Sequence, residues 1–542
     1  MLNHRRAIVT WILVAWATVA PVGAHPVTAA GQAIGTPSVA TDRVLRLAGP
    51  TAGLEGLDPS LAPDQATTEI LRLVFSGLVR FDADLTPVLD LAERIDVSPD
   101  AMRYEARLRP DARFHDGRPI LAVDVASSLA RALTPSATMP ASALSGPLTL
   151  LDIAGASDLL TGNATTLAGV STPDERTVVI DLDRPRTDFL PRLASVAGLV
   201  TGGPAPSGGT AGTIPNGSGP FRVVSWQPER ELRLARVEKF VEGDRITGVS
   251  YLLGAGAERP FNLYQQGLID VTPLPAGSAA RVLDDPALAP RVIRQSSFAT
   301  HHIAFRTDQA PLDDRDVRLA IQLAFPRAAV ADVTFGGLAA PADGLLPDSL
   351  LALDAAARLP APDLAAARAA LARSRYGSAA AVPPFEIASH ADQTVEAVRD
   401  VLRRDLGLRV TVVSYPWPEF LDGLAAGAFP AYGLLWVADF PSPDALLWTL
   451  FGSGSPANAS GYRNPAFDAA IEAARREPDP TARQARYARA HAILVADAVF
   501  LPTYHPVEYL LAGERIRGVT VTPIGLLEVD HIEIVPAPVV VG

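Results

Sequence analysis

The chain has 542 residues and a net charge of −12, with 48% hydrophobic and 20% charged residues. This length is too great for one hydrophobic core and predicts two or three domains, while the acidic balance argues against a nucleic-acid partner, which would need a basic face. Cysteine is absent, which excludes disulfides, thiolate nucleophiles, cysteine-bound zinc, iron–sulfur clusters and a lipidated cysteine anchor. The single lysine, Lys239, does not lie in a Walker A motif, which excludes a P-loop ATPase.

The N-terminus has the pattern of a secretory signal peptide. Two arginines precede an apolar run from Ala7 to about Ala20, and a small-residue cleavage site ends at Ala24. The alternative is a permanent membrane anchor, which needs about 20 apolar residues, and this run is shorter. We therefore expect residues 1–30 to be a signal peptide and flexible N-terminus, and the mature protein to be exported and soluble.

From Val44 onward the sequence predicts alternating strands and helices. The stretch RVLRLAG alternates apolar and polar residues, as a half-buried strand does, and a helix with apolar residues at 3.6-residue spacing follows over about 65–78. A second strand, MRYEARLRP, precedes an amphipathic helix over about 121–132. This alternation predicts an α/β architecture.

A His-Asp-Gly connector joins that second strand to its helix. His115 beside Asp116 could serve catalysis or bind a metal, but no further metal ligands lie nearby at a usable spacing. The pair Asp116-Gly117 is a turn signal. We therefore interpret His115 as a turn residue.

The clearest break in composition is the uncharged run from Gly202 to Pro220, rich in glycine, proline, serine and threonine. It predicts a loop between two structural units, and a hairpin around Pro228 follows it. A second α/β region begins at the stretch THHIAFRT. Its alanine-rich run, which ends at Gly377, predicts a helix rather than disorder.

The sequence contains no catalytic constellation. The glycine–serine turns NGSGP and FGSGS do not fit the G-x-S-x-G elbow, and pairs such as Asp313-Asp314 are common in so acidic a chain. His301 and His302 could chelate a metal, but neighbours on a strand point to opposite faces. We therefore expect a binding protein without metal or cofactor, with a secreted hydrolase as the alternative.

Several blocks follow one another in a characteristic order along the chain. They are LDPSLAPDQATTEILRLVFSGLVRFD with the strand–helix unit after it, then GSGPFRVVSW, QQGLIDV, PLDDRDVRLAIQLAFPRAAV, WVADFPSP, NASGYRNPAFDAAI and AVFLPTYHP. Together they resemble the family 5 solute-binding proteins of ABC transporters, which are oligopeptide, dipeptide and nickel receptors. The resemblance covers the chain from about Val44 to the C-terminus.

This resemblance implies an α/β periplasmic-binding-protein fold of type II, with mixed β-sheets flanked by helices. Two lobes close on a ligand, and an extra subdomain is inserted in the first lobe. The implied division is lobe I over 44–76, 206–296 and 500–542, the insert over 77–205, and lobe II over 297–499. It also implies a monomer in the periplasm that delivers its ligand to membrane permease subunits.

The resemblance further implies a peptide site around the stretch AYGLLWVADFPSP, which alternates like a buried strand. Asp439 would receive the α-ammonium group of the peptide, because a buried cation needs a counter-charge. The implied site residues are Asp439, Trp436, Trp417, Leu435, Val437, Tyr504 and Gln65. The backbones of Leu435 and Val437 would pair with the peptide, the tryptophans would wall the cleft, and Tyr504 and Gln65 would face it from lobe I.

Two alternatives remain at these positions. The tryptophans could pack in the core, and Asp439 could cap the following turn without touching a ligand. Nickel chelates, haem, sugars and opines are alternative ligands, since related receptors take them. The sequence also departs from the family pattern at Pro326, which should end a helix early, and at Leu121, where a Ser or Thr helix cap is usual.

Overall fold

The structure is a computed structural model that describes residues 43–50, 53–61, 64–135, 145–147, 149–203, 211–238, 245–254, 259–390, 392–455 and 457–535. The predicted signal peptide and Lys239 lie outside these residues. Within the described residues, no helix combines the length and apolar character needed to cross a membrane.

Strands and helices are interspersed along the described residues, but they do not alternate strictly: several strands follow one another over residues 79–108, and three helices follow one another over residues 444–497. The strands are β1 Val44–Ala48, β2 Val79–Phe81, β3 Pro87–Leu89, β4 Ala92–Val97, β5 Arg103–Leu108, β6 Val170–Asp174, β7 Thr177–Asp181, β8 Phe221–Gln227, β9 Glu231–Arg236, β10 Gly248–Leu252, β11 Val271–Pro273, β12 Val292–Ser296, β13 Ala299–Phe305, β14 Ala340–Pro341, β15 Phe385–Ser389, β16 Val410–Ser414, β17 Ala431–Val437, β18 Phe500–His505, β19 Val507–Ala512, β20 Ile516–Arg517 and β21 Glu533–Ile534. The helices are α1 Gln65–Val74, α2 Ala122–Arg131, α3 Ala156–Leu160, α4 Phe189–Leu193, α5 Arg259–Gln265, α6 Ala276–Asp284, α7 Arg315–Ala324, α8 Arg327–Phe335, α9 Leu364–Arg373, α10 Gln393–Val401, α11 Trp417–Ala426, α12 Asp444–Phe451, α13 Pro465–Arg476 and α14 Pro480–Asp497.

The first structural unit is built on a four-stranded sheet in the order β1-β10-β9-β8. β1 is parallel to β10, and the other pairs are antiparallel. Helix α1 buries Ile70, Leu71 and Val74 in the core of this unit, which confirms the predicted strand and the helix as far as Val74. The predicted extension to Leu78 is wrong, because the chain is already extended at Phe75. Its N-cap is Asp64, whose carboxylate accepts the Thr67 N–H.

A second unit, the insert, has the sheet order β4-β5-β7-β6, with α2 packed near β6 and β7. Tyr104, Ala106 and Leu108 of β5 are all buried on one face, as the alternation predicts. The Leu121 side chain makes no cap, but its backbone N–H donates to the carboxylate of Asp124 in the first turn of α2. One half of the usual capping pair therefore remains.

The third unit contains a six-stranded sheet in the order β14-β18-β13-β17-β15-β16. Helix α7 ends at Ala324 and α8 begins at Arg327, because Pro326 between them cannot continue the first helix. Both histidines of the pair at 301 and 302 lie on β13 and are buried. His302 has a pKa lowered to about 3, primarily by burial, so it is neutral there.

The position of strand β18 differs from the one expected, because the expected division assigns residues 500–542 to lobe I. It pairs antiparallel with β13, so it is part of the six-stranded sheet. The chain then returns through β19, which pairs with both β12 and β11 in a three-stranded sheet. The two strands that connect the third unit to the first, β12 and β19, are thus hydrogen-bonded neighbours.

Side chains of the insert and of the third unit share one buried cluster. It includes Phe189 of α4 together with Phe440 and Tyr487 from the third unit. The first unit has a separate core. The insert therefore packs against the third unit even though the chain enters it from the first.

Candidate ligand-binding site

Strand β17 has one edge that is paired along its whole length and one that is not. Along one edge β13 pairs with every residue from Ala431 to Val437. Along the other edge β15 pairs only with Ala431 and Tyr432. From Gly433 onward, no hydrogen bond from a described residue reaches the second edge.

The register shows which residues present their backbone to this unpaired edge. The Ala438 N–H donates to the Phe298 carbonyl, and the Arg306 N–H donates to the Pro430 carbonyl. In an antiparallel pair alternate residues bond to the same partner, so the even-numbered residues of β17 point their N–H and C=O groups at β13. The odd-numbered residues, Gly433, Leu435 and Val437, consequently point theirs at the unpaired edge. Two of these are the residues predicted to pair with a peptide.

Asp439 comes two residues after the end of β17, and its side chain is half-buried. Apart from its own backbone N–H, its carboxylate has no hydrogen-bond or ion-pair partner among the described residues. Burial raises the pKa of Asp439 to about 7, and the charge of Arg192 opposes this rise only in part. The carboxylate does not cap the first turn of α12, where the Asp444 N–H donates to Ser442 Oγ.

Asp444, unlike Asp439, has several cationic partners, and the sequence analysis did not predict its role. Its buried carboxylate lies 3.4 Å from the Arg186 guanidinium, 2.7 Å from that of Arg192 and 2.9 Å from that of Arg475. The charges of these arginines, first that of Arg475, outweigh burial and hold the pKa of Asp444 well below its usual range. The two arginines from the insert are distant from Asp444 in sequence, so no local pattern indicates the network.

The predicted tryptophans lie on different elements. Trp436 is buried on β17, and its indole N–H has no acceptor among the described residues. Trp417 is half-buried at the start of α11, with its ring 5.7 Å from that of Phe420 and 5.4 Å from that of His390. Among the described residues, the two indole rings therefore do not contact each other.

Tyr504 lies on β18 in the six-stranded sheet, whereas the resemblance places it in lobe I. Its ring stacks on that of His301, with 5.1 Å between the ring centroids. His301 lies on β13, where it pairs with Leu435 of β17. His301 Nε2 lies 2.5 Å from Asp392, the N-cap of α10. Leu435, His301 and Tyr504 thus form a row on one face of the sheet.

Gln65 is exposed at the start of α1, and its side-chain amide donates to the Gly525 carbonyl. The same glycine, with a φ of +78°, lies against Glu508, because a Cβ placed on it would come within 3.0 Å of Glu508 Oε1. Burial raises the pKa of Glu508 to about 7. Sequence reasoning missed Glu508, whose only signal is a carboxylate within the apolar strand β19.

A separate cavity of 680 Å³ lies between β12 and the C-terminal residues, lined in part by Arg291, Arg515 and Arg517. None of the predicted site residues lines it. Its location in the first unit, away from β17, separates it from the candidate site.

Comparison with known proteins bears on the family and the fold. The family model described as "Bacterial extracellular solute-binding proteins, family 5 Middle" matches residues 86–458. The chain is 27% identical to di/tripeptide-binding protein 2 of Pseudomonas aeruginosa, over 89% of this chain and 93% of that protein. It is 26% identical to the probable deoxycholate-binding periplasmic protein YgiS of Escherichia coli, over 83% of this chain and 85% of that protein.

The structure of the Escherichia coli murein tripeptide binding protein MppA is similar, with a TM-score of 0.72 and 24% identity, over 91% of this chain and 98% of that one. This likeness confirms the predicted fold class, an α/β periplasmic-binding fold of type II.

Proposed function

Because this chain belongs to the bacterial extracellular solute-binding proteins of family 5, we propose that it is the periplasmic receptor of an ABC importer and that its ligand is a short peptide. The unpaired edge of β17, which ends at an uncompensated Asp439, is the observation that carries this proposal. A receptor of this kind binds and releases its ligand without catalytic turnover. Its partners are the ligand and the membrane permease subunits, and it acts as an exported monomer.

The backbone of β17 suits a peptide of mixed sequence. An extended peptide can add to an unpaired strand edge through main-chain hydrogen bonds, which do not depend on its side chains. Leu435 and Val437 are alternate residues of β17, and both direct their backbone N–H and C=O groups to that edge. In this proposal they bond to the peptide main chain.

Asp439 supplies the charge that fixes the direction of the peptide. An α-ammonium group placed at the end of β17 pairs with a carboxylate that lacks a cation partner in the described structure. Burial of an unpaired charge is costly, so this pairing favours peptides with a free N-terminus. Trp436 and Trp417 form walls of the cleft, and Tyr504 and Gln65 border it from opposite sides.

The proposed lobes follow the sheets. Lobe I contains the four-stranded sheet, and lobe II contains the six-stranded sheet. The insert branches from lobe I along the chain but packs against lobe II. Since β18 belongs to the six-stranded sheet, we place the second crossing between lobes after His505 rather than at residue 500. β12 and β19 form the hinge, because each leads directly from one lobe into the other.

A thermal-shift screen tests the ligand class. The set contains dipeptides, tripeptides and their N-acetylated forms, together with a nickel chelate, haem, sugars, opines and deoxycholate. We expect peptides with a free N-terminus to raise the melting temperature and the others to leave it unchanged, since a ligand stabilises only the state that binds it. Stabilisation by one of the non-peptide solutes alone would overturn the proposal.

Incubation with the stabilising peptides tests the absence of turnover. The expected result is intact peptide at every time point. Hydrolysis in excess of the protein concentration, abolished by a single substitution in the cleft, would instead indicate a secreted hydrolase.

A further inference from the structure

The 680 Å³ cavity of lobe I has a cationic lining. Its charged residues are three arginines, at positions 291, 515 and 517, and a single acidic residue, Glu514. Arg291 ends the short 3₁₀ turn Ala289–Arg291 that leads into β12, whereas Arg515 and Arg517 lie at β20. Two segments that are distant in sequence therefore bring three arginines to one cavity.

Arg291 is the least exposed of the three. Its side chain is 20% exposed, and its Nε atom is buried without a hydrogen-bond acceptor among the described residues. Its Nη1 atom lies 3.4 Å from the carboxylate of Glu514, but the Glu514 side chain is 86% exposed, so water screens this ion pair. Buried N–H groups generally have an acceptor. The described part of the chain supplies none for Arg291 Nε.

Arg515 and Arg517 are held by backbone carbonyl groups. Arg515 Nε donates to the Val535 carbonyl at 2.9 Å, and Arg517 Nη1 donates to the Glu514 and Ile516 carbonyls at 2.6 and 2.9 Å. These hydrogen bonds position the two guanidinium groups but do not neutralise their charge. Neither group has a carboxylate partner among the residues that the structure describes.

Two other arginines of lobe I show the usual arrangement. Arg236 lies 2.8 Å from the carboxylate of Asp530, and Arg46 lies 2.6 Å from that of Asp270. The whole chain has a net charge of −12, so acidic residues are in excess over basic ones. The positive charge at this cavity is therefore a local exception to the composition of the chain.

The rest of the lining is largely apolar. It includes Val292, Ile293, Ile516, Val519 and Val535. The last of these is 41% exposed, although it is a large hydrophobic residue. The volume of the cavity lies within the range of about 300–1,000 Å³ that is usual for small-molecule sites. Its lining thus offers guanidinium groups together with an apolar surface.

We propose that this cavity binds a small organic oxyanion, a carboxylate or phosphate group attached to an apolar body. Guanidinium groups match the geometry of carboxylate and phosphate oxygens through paired N–H donors. The oxyanion supplies the missing acceptor to Arg291 and a counter-charge to Arg515 and Arg517, and the apolar body contacts the apolar lining. This site is separate from β17, so the inference does not depend on the proposed peptide ligand.

Isothermal titration calorimetry with four probes tests the assignment. Octanoate and octyl phosphate have both the oxyanion and the apolar body, acetate lacks the body, and octyltrimethylammonium has the opposite charge. Wild-type protein is expected to bind the first two, to bind acetate more weakly and not to bind the cation. Arg291→Gln and Arg515→Gln are each expected to weaken octanoate binding about 10- to 100-fold, the range for a hydrogen bond to a charged group.

Arg294→Gln is the matched control. Arg294 is an exposed arginine of β12, close in sequence to Arg291, but it does not line the cavity. This variant removes the same charge and should bind octanoate as the wild type does. Because Arg515 is exposed, Arg515→Gln should keep the melting temperature of the wild type and tests the site even where Arg291→Gln does not fold.

The source of the oxyanion is tested by flotation with phosphatidylglycerol vesicles. A free solute predicts octanoate binding without flotation of the protein. Flotation that Arg515→Gln abolishes together with octanoate binding would assign the same site to the headgroup of an anionic lipid. The proposal is overturned if neither octanoate nor octyl phosphate binds, if the cationic probe binds equally well, or if Arg291→Gln and Arg515→Gln both leave octanoate affinity unchanged.

Discussion

Asp439 and Asp444 lie five residues apart after the same strand, yet their surroundings are opposite. Asp444 is held by three guanidinium groups, and its pKa is well below the usual range. Asp439 has the partial influence of Arg192 alone, and its pKa is raised to about 7. The comparison shows two surroundings for a carboxylate within one fold. The protein's own cations neutralise Asp444, whereas in our proposal the half-buried Asp439 is left for the cation of a ligand.

The larger effect is expected at Asp444. Replacing it with asparagine leaves Arg186, Arg192 and Arg475 buried without their shared counter-charge. Breaking a buried ion pair by removing one partner costs about 3–5 kcal/mol, so the melting temperature should fall by several degrees. Differential scanning calorimetry measures this.

The pH dependence of the Asp444 network has a definite sign. A carboxyl group whose folded pKa is depressed contributes stability that is present above its unfolded pKa, near 4, and is lost as pH falls below it. Wild-type protein should therefore lose more stability than Asp444→Asn on acidification below pH 4. Equal losses would contradict the network's role.

Peptide affinity should depend on pH through Asp439. With a pKa of about 7 in the empty protein, this group must release a proton before it pairs with an ammonium ion, so affinity falls as pH falls below 7. Between pH 7.5 and pH 5 we expect a loss of about 10- to 100-fold. Calorimetry in buffers of different ionisation enthalpy would also detect the released proton.

Asp439→Asn supplies the control for that titration. Its weaker binding should not change between pH 5 and pH 7.5, because the substituted amide does not ionise in this range. A pH dependence equal to that of the wild type would assign the proton to another group.

A smaller effect is expected at Glu69, because its carboxylate has neutral hydrogen-bond donors in place of cations. Burial raises its folded pKa to about 7, so its contribution to stability is full below about pH 4.5 and is lost as pH rises through 7. Glu69→Gln should therefore lose less stability than wild type from pH 5 to pH 8, by on the order of 1–2 kcal/mol. Melting curves across this range measure the difference, and parallel curves would contradict it.

The sequence predicts features whose causes are local. The alternation in β5, the apolar stripe of α2 and the effect of Pro326 on α7 all depend on neighbours within a few residues, and the structure agrees with each. The order of the sequence blocks predicts the family and the fold. The resemblance to the family indicates Asp439 because the motif around Trp436 is short and contiguous.

Features that depend on distant pairing were not predictable in this way. Asp444 is neutralised by Arg186 and Arg192, which precede it by 258 and 252 residues. Strand β18 joins the six-stranded sheet because β13, some 200 residues earlier, is its partner.

In our proposal, Asp439 lacks an ion-pair partner within the protein so that it can bind the α-ammonium group of a peptide. Calorimetric titration of wild type and Asp439→Asn with one tripeptide, in its free and N-acetylated forms, tests this most directly. We expect the free peptide to lose about 2–5 kcal/mol of binding free energy in the variant and the acetylated peptide to bind both proteins weakly. The empty variant should melt at or above the temperature of wild type, because the substitution removes a carboxylate whose pKa is raised by burial. Equal affinity of wild type and Asp439→Asn for the free peptide would contradict the claim.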